Sequence, residues 1–282
     1  MFERLSRSWE LVKASGAVLK GDKELLVFPL ISSIAMLGVI AAFAIPMFAT
    51  GAFAQLARHG HEAGTLYYAL LFAFYVVSYF VAFFFNATLV GAALIRLEGG
   101  DPTVGDGLRI ASGKAWNILG YALIAATVGM ILRAIEERVG FIGRIIVGLI
   151  GIGWSLATFL VVPVLVARDV GPTEAIGESA QLLKRAWGEN IIGQGGLGLA
   201  FTLVYLGIGA TGAALIVMAV AANSWAAAVV ATVAMVLSIL AAMLVHSALS
   251  AIYSAALYRY ATGNDSTGAF SAPMLQSAFA PK

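Results

Sequence analysis

The sequence predicts an all-α, polytopic membrane protein with six transmembrane helices and amphipathic interfacial helices on one membrane face. Three observations carry this prediction. Hydrophobic residues make up 61% of the 282-residue chain and charged residues 11%, against roughly a quarter charged in ordinary soluble domains. Between Glu189 and Arg259 there is no Asp, Glu, Lys or Arg. Shorter uncharged runs at 25–57, 63–95, 115–132 and 145–167 repeat the pattern. A bilayer core of about 30 Å takes roughly 20 apolar residues as a helix, and a backbone in oil must pair its amides within its own helix.

Run 25–57 holds span 1 and run 63–95 span 2, each with residues to spare for a turn or a tilt. Run 115–132 is short for span 3, so Arg133 is expected to reach up to the headgroups. Run 145–167 is span 4. Run 190–258 must turn once, and Ala222-Asn223-Ser224-Trp225 is the polar break near its middle. Tryptophan favours the membrane interface, so spans 5 and 6 are expected to meet there. Pro29, Pro46 and Pro163 lie in spans or at their ends. Pro46 and Pro163 free backbone carbonyls, which either kink a helix or offer oxygen ligands. Small residues let helices approach closely. That is the expectation for Gly148, Gly151 and Gly153 of span 4 and for Gly193, Gly195, Gly196, Gly198, Gly207, Gly209 and Gly212 of span 5.

Six crossings put 1–24, 96–114, 168–189 and 259–282 on one side. Of 17 Lys and Arg, only Arg58, Arg133, Arg138 and Arg144 fall on the other. The bias of basic residues toward the cytoplasmic face then predicts both termini in the cytoplasm of a multi-pass cell (inner) membrane protein. Glu137 and Arg133, four apart, can pair across the external turn. The N-terminal region does not read as a signal peptide, because its apolar run starts late and is too long.

The chain suggests a threefold repeat of interfacial helix plus hairpin, at about 1–100, 101–172 and 173–262, making a six-span bundle over 1–262. Each repeat opens on an amphipathic segment. Leu5, Trp9, Val12 and Leu19 form the first apolar stripe, with Lys13 and Lys20 beside it. Leu108, Ala111, Ala115 and Trp116 form a narrower second one, and Ile176, Ala180, Leu183 and Trp187 the third. Even-numbered spans end on Arg96, Arg168 and Arg259. An Arg there meets the negative end of the helix dipole and the headgroup zone. Gly100, Gly171 and Gly263 follow as expected left-handed caps, with Thr103 and Thr173 as expected caps of the next helix. Trp9, Trp116, Trp187, Arg96, Arg168 and Arg259 are thus the expected interface anchors. The tail 263–282 is expected to carry a short helix, opening near Pro273 and docking on the cytoplasmic face.

Several stretches resemble those of an uncharacterised, domain-of-unknown-function family of prokaryotic six-span integral membrane proteins. They are Ser8-Trp9-Glu10-Leu11-Val12-Lys13-Ala14-Ser15 followed by Asp22-Lys23-Glu24-Leu25-Leu26-Val27-Phe28-Pro29-Leu30-Ile31-Ser32, Phe84-Phe85-Asn86-Ala87, Asp101-Pro102-Thr103 with Asp106-Gly107, and Tyr258-Arg259-Tyr260-Ala261. Gly16 stands where the resemblance implies a bulky aromatic. The resemblance implies topology and supplies no activity.

His246 is the ionisable side chain set well inside a span, and such a group is a functional candidate. Its plainer role is a hydrogen bond to a neighbouring helix. Ser247, Ser250 and Ser254 share one face beside it, suited either to close packing or to lining a path. Asn86 sits among Phe83, Phe84 and Phe85. Its amide seeks a partner on another helix, or its aromatic neighbours line a groove for lipid or an apolar ligand.

The chain has no cysteine, which excludes disulfides, thiol catalysis and iron–sulfur ligation by Cys. A net charge of +2 gives no footprint for nucleic acid. Gly195-Gly196-Leu197-Gly198 lacks the strand and the Lys-Ser/Thr of a phosphate loop. No acid, base and nucleophile sit at reachable spacing, so neither enzyme activity nor a cofactor or metal is expected. The expected role is a non-catalytic scaffold, partner anchor or lipid-organising element, with membrane lipids and a membrane or cytoplasmic protein as partners. The alternative is a channel or transporter for ions or small solutes, formed as a homo-oligomer with span 6 lining the path.

Overall fold

The computed structural model describes residues 13, 15–50, 65–185 and 187–263. Helix α1 covers 15–21, and a 3-10 turn over Lys23–Leu26 leads into α2, Val27–Ala49. Then come α3 (Thr65–Leu97), α4 (Val104–Gly113), α5 (Ala115–Glu136), α6 (Phe141–Ala157) and α7 (Val161–Ala167). The last three are α8 (Pro172–Arg185), α9 (Trp187–Ala221) and α10 (Trp225–Ala261). No strand occurs among the described residues. Among the described residues six segments are long and apolar enough to cross a membrane: Lys23–Ala49, Tyr68–Leu97, Ala115–Glu136, Phe141–Ala167, Leu197–Ala221 and Trp225–Ala261.

The turn between α9 and α10 falls where the polar break places it, with Asn223 in the left-handed region at φ 53° and α10 starting at Trp225. Span 3 runs past Leu132 to Glu136. Arg133 therefore sits inside its last turn, bonded to Glu137 (3.0 Å) and to the Tyr75 hydroxyl of α3 (2.8 Å).

Side-chain bonds gather the starts of odd spans and the ends of even spans at one end of the bundle. Arg96 donates to the Gly100 carbonyl (3.3 Å), to Asp101 (3.0 Å) and to the Gly21 carbonyl at the end of α1 (3.3 Å). Lys114 donates to the Arg168 carbonyl (3.0 Å) and to Asp169 (2.9 Å), and Asn117 donates to the Val170 carbonyl (3.0 Å). Arg168 pairs with Glu178, and the buried Arg259 pairs with Glu98 at 3.4 Å. Burial follows the same geography. The core is built from Leu25 and Phe28, the last third of α3, the inner face of α5, the first five residues of α7 and the stretch Ala248–Tyr258 of α10. At the opposite end Phe48, Phe141, Leu206 and Val229 stand exposed, as apolar side chains facing lipid do.

The caps differ in detail from their expectation. Gly99, not Gly100, takes the left-handed position at φ 87°. The Gly100 amide donates to the Ile95 carbonyl and the Gly99 amide to the Arg96 carbonyl, which closes a Schellman motif. Gly263 is left-handed as expected (φ 75°), and Gly171 is not. Thr103 caps α4 in a reciprocal box with Asp106. Pro172 takes the first position of α8, so Thr173 lies inside that helix.

Span 4 is broken. Pro163 has no amide to give and its ring crowds the carbonyl four residues back, which is Phe159. The chain leaves helical geometry over 158–160. Ser179 of α8 repairs the gap: its hydroxyl accepts from the Leu160 amide (3.0 Å) and donates to the Ala157 carbonyl (2.7 Å). α8 therefore buries Ala175, Ser179, Leu182 and Leu183. The expected stripe of Ile176, Ala180 and Leu183 is rotated because a serine that caps backbone counts as polar in a hydropathy pattern. Pro46, by contrast, sits in an unbroken α2. Its own carbonyl accepts from both the amide and the hydroxyl of Thr50.

Close helix approach also occurs elsewhere than expected. A β-carbon on Gly107 would stand 2.7 Å from the Thr88 carbonyl oxygen and 2.9 Å from the Phe28 ring, so α4 lies directly on α2 and α3. Gly212 abuts Met235, whereas Gly148, Gly151, Gly153, Gly198, Gly207 and Gly209 have no such neighbour. The surroundings of Gly193, Gly195 and Gly196 lie outside what the structure describes, as do the predicted tail helix and Leu5, Trp9 and Val12.

Candidate functional site

A cleft of about 530 Å³ opens between α2, α3 and α10, with Phe159 of the span 4 break and Tyr205 of α9 completing its wall. α10 contributes Met243, His246, Ser247, Ser250, Ala251 and Ser254, one face at helical spacing. α3 contributes Ala82, Phe83, Phe85, Asn86 and Leu89, and the first turns of α2 contribute Phe28, Pro29 and Ser32. All five residues singled out in the sequence for a path or ligand (His246, Ser247, Ser250, Ser254 and Asn86) line this one cleft. Met243, Ser247 and Asn86 are exposed, so the cleft is open at that rim.

The polar groups divide into satisfied and unsatisfied. Ser254 is buried and donates to the Ala251 carbonyl of its own helix (2.8 Å). The His246 ring stacks on Phe201 of α9, centroids 4.4 Å apart and planes 8° apart. Its Nδ1 lies 3.2 Å from the Tyr205 hydroxyl. When Tyr205 donates, the proton of the neutral imidazole sits on Nε2, which leaves a donor for a ligand. The Asn86 amide and the Ser32, Ser247 and Ser250 hydroxyls form no side-chain hydrogen bond among the described residues. Asn86 thus clamps no neighbouring helix; it projects at the cleft rim.

The wall is aromatic. Phe83 stacks on Tyr121 of α5 at 4.4 Å and on Tyr79 at 5.6 Å, and Tyr79 on Tyr75 at 6.2 Å. Phe159 packs near Tyr253 at 6.2 Å. No lining residue carries a formal charge with His246 neutral. Among the described residues there is no group of three or more His, Cys, Asp or Glu placed to hold a metal.

The sequence pointed to the polar half of this site and, beside Asn86, to Phe83 and Phe85 as a groove wall; the rest it missed. Phe201 and Tyr205, four apart on α9, could have been noticed as an aromatic pair in a glycine-rich helix. Phe28, Ser32 and Phe159 carry no local signal, because only the packing of the spans brings them to α10.

The anchors behave unequally. Arg96, Arg168 and Arg259 all sit at the gathered end, each in an ion pair, and the Glu178 carboxylate holds the Arg168 guanidinium above its ordinary range. Trp116 is 84% exposed, so it points away from the core face that the second stripe assigns to it. Trp9 and the Trp187 side chain lie outside the described residues. Another groove, of about 460 Å³, lies beside Arg168, Glu174, Glu178 and Gln181.

Comparison with known proteins finds no match among curated proteins and none among solved structures. A family of unknown function, DUF6159, matches residues 65–269, a range that holds α3 through α10 and most of the cleft. The chain is a member of this family, DUF6159, and its described residues hold six helices long and apolar enough to cross a membrane.

Proposed function

We propose that this chain is a non-catalytic integral membrane protein that holds a lipid-like molecule in the cleft between α2, α3 and α10. It thereby serves as a lipid-organising element or anchor. One observation carries the reading: Asn86, Ser247, Ser250 and Ser32 bring unpartnered polar groups to one aromatic-walled cleft inside the spanning region. Polar groups in hydrocarbon seek hydrogen bonds, and a cleft of this volume falls in the range of small-molecule sites, about 300–1,000 Å³. Along α10 the lining runs from Met243 to Ser254, about 16 Å of helix and close to the depth of one leaflet's hydrocarbon. The placement is a multi-pass cell membrane with both termini cytoplasmic, as the distribution of basic residues favours.

The second reading is an oligomeric channel or transporter, favoured by the His246, Ser247 and Ser250 face of span 6. Against it, no residue from Trp225 to Ala242 lines the cleft. Reconstitution separates the two. A lipid-holding protein passes ions and dye no faster than empty liposomes, with or without His246→Leu, and lipid copurifies with it. A flux above that background, altered by His246→Leu, selects the channel instead. Partners of either kind, a second copy or a membrane or cytoplasmic protein, belong to the same proposal and are read from subunit number in a native-like membrane.

A further inference from the structure

We infer that the cleft selects an uncharged lipid bearing a hydroxyl or carbonyl oxygen, held among Asn86, Ser247, Ser250 and His246 with its hydrocarbon against Phe83, Phe85 and Met243. The inference rests on the lipid-holding reading above and adds the class of ligand. Two independent features of the molecule carry it.

The first is the kind of polar group on offer. Asn86 brings two donors and an acceptor, Ser247 and Ser250 each a hydroxyl, and His246 a ring nitrogen. Among the described residues the Asn86, Ser247 and Ser250 groups have no hydrogen-bond partner, and His246 engages one ring nitrogen, which faces Tyr205. This set suits a single neutral oxygen that can both accept and donate. The second is the absence of countercharge. A phosphate ester at this depth needs a cation or pays heavily in desolvation, and among the described residues no lysine or arginine lines the cleft. Three cations at the gathered end of the bundle are committed elsewhere. Arg96 holds Asp101 and two carbonyls, Lys114 holds Asp169 and Arg168 holds Glu178; Arg259 is buried beside Glu98 at 3.4 Å with its Nε and Nη1 in no hydrogen bond, and Lys20 and Lys23 are exposed, but none of these lines the cleft. A phosphate drawn into the cleft would therefore leave these cations behind, whereas an alcohol or carbonyl head meets its partners inside the cleft.

A matched pair of probes tests this on the full chain in phosphatidylcholine nanodiscs: oleyl alcohol and oleyl phosphate, which share one chain and differ in head charge. The expected result is saturable binding of one oleyl alcohol per chain, at least about tenfold tighter than oleyl phosphate. Asn86→Leu and Ser250→Val should each weaken the alcohol by up to about tenfold, the loss of one hydrogen bond. Ser238→Ala, outside the cleft, should leave binding unchanged. If the phosphate binds as tightly as the alcohol and Asn86→Leu weakens both, the cleft holds lipid and the neutral-head assignment is overturned. If neither probe binds above empty nanodiscs, the lipid-holding reading falls with it. The alcohol-to-phosphate ratio is measured on the unsubstituted protein, so a variant that fails to fold does not blunt the test.

Discussion

Asp106 makes the interfacial helix α4 sensitive to acid. Its carboxylate accepts from the Thr103 hydroxyl (2.7 Å) and the Thr103 amide (3.1 Å), and those bonds hold its pKa below the ordinary value of 3.8. A carboxyl that titrates lower when folded contributes fully above the ordinary carboxylate range and loses that contribution as pH falls through the lower folded value. The protection of the α4 amides, taken relative to their intrinsic exchange rates at each pH, should therefore be flat near neutral pH and fall only in acid. Thr103→Ala should raise exchange of the first-turn amides roughly fivefold at neutral pH, the effect of a lost cap; unchanged exchange would mean that the box does not hold the helix. Deeper in the molecule, Tyr205→Phe removes the hydroxyl beside His246 and spares its stack on Phe201. Hydrogen bonds within membranes average about 0.6 kcal/mol, so thermal unfolding in detergent should barely move. A large fall would make the pair a structural keystone. Residue chemistry of this kind was half legible in the sequence. A histidine, an asparagine and serines at span depth are conspicuous because hydrocarbon penalises them. Their aromatic partners are ordinary residues for a span, and nothing in a hydropathy pattern says which of them face each other.

At the scale of elements, the break in span 4 and the helix that fills it form one unit. Pro163 explains why the helix stops and Ser179 explains why the stop is tolerated, since it serves both the Leu160 amide and the Ala157 carbonyl. Leaving two buried backbone groups without partners costs about 1–3 kcal/mol each. Ser179→Ala should accordingly lower the unfolding midpoint clearly, while Ser155→Ala, on an exposed position of α6, should not. Equal stability of the two variants would contradict the repair. Because Phe159 lies in the break and walls the cleft, Ser179→Ala should also weaken ligand binding without touching a lining residue. The proline was visible in the sequence; the serine was not, because its role depends on a helix docked from elsewhere. The same reasoning accounts for α8, whose apolar stripe was drawn one residue off the face it buries. Elements governed by the solvent alone read far better. The six spans, the turn at Asn223 and the start of α10 at Trp225 follow from what oil and interface demand of a backbone.

The whole molecule is gathered at one end and opens toward the other, with the cleft beginning just inside the gathered end. Which side of the membrane that end faces can be read directly, because the chain has no cysteine and any introduced thiol reports alone. Ser112→Cys on α4 should be shielded from a membrane-impermeant maleimide in intact cells, and Glu137→Cys at the α5–α6 turn should be labelled; the reverse pattern would invert the orientation. The cleft itself is tested most directly by photocrosslinking in native membranes, with a photoreactive residue placed either at Met243 on its rim or at Leu237, which is 60% exposed on the same helix. A cleft that selects its ligand captures at Met243 a lipid class strongly enriched over the membrane average, neutral-headed, while Leu237 captures lipids in bulk proportion. The same bulk mixture at both positions would mean that the cleft is no more than a gap filled by whatever surrounds it.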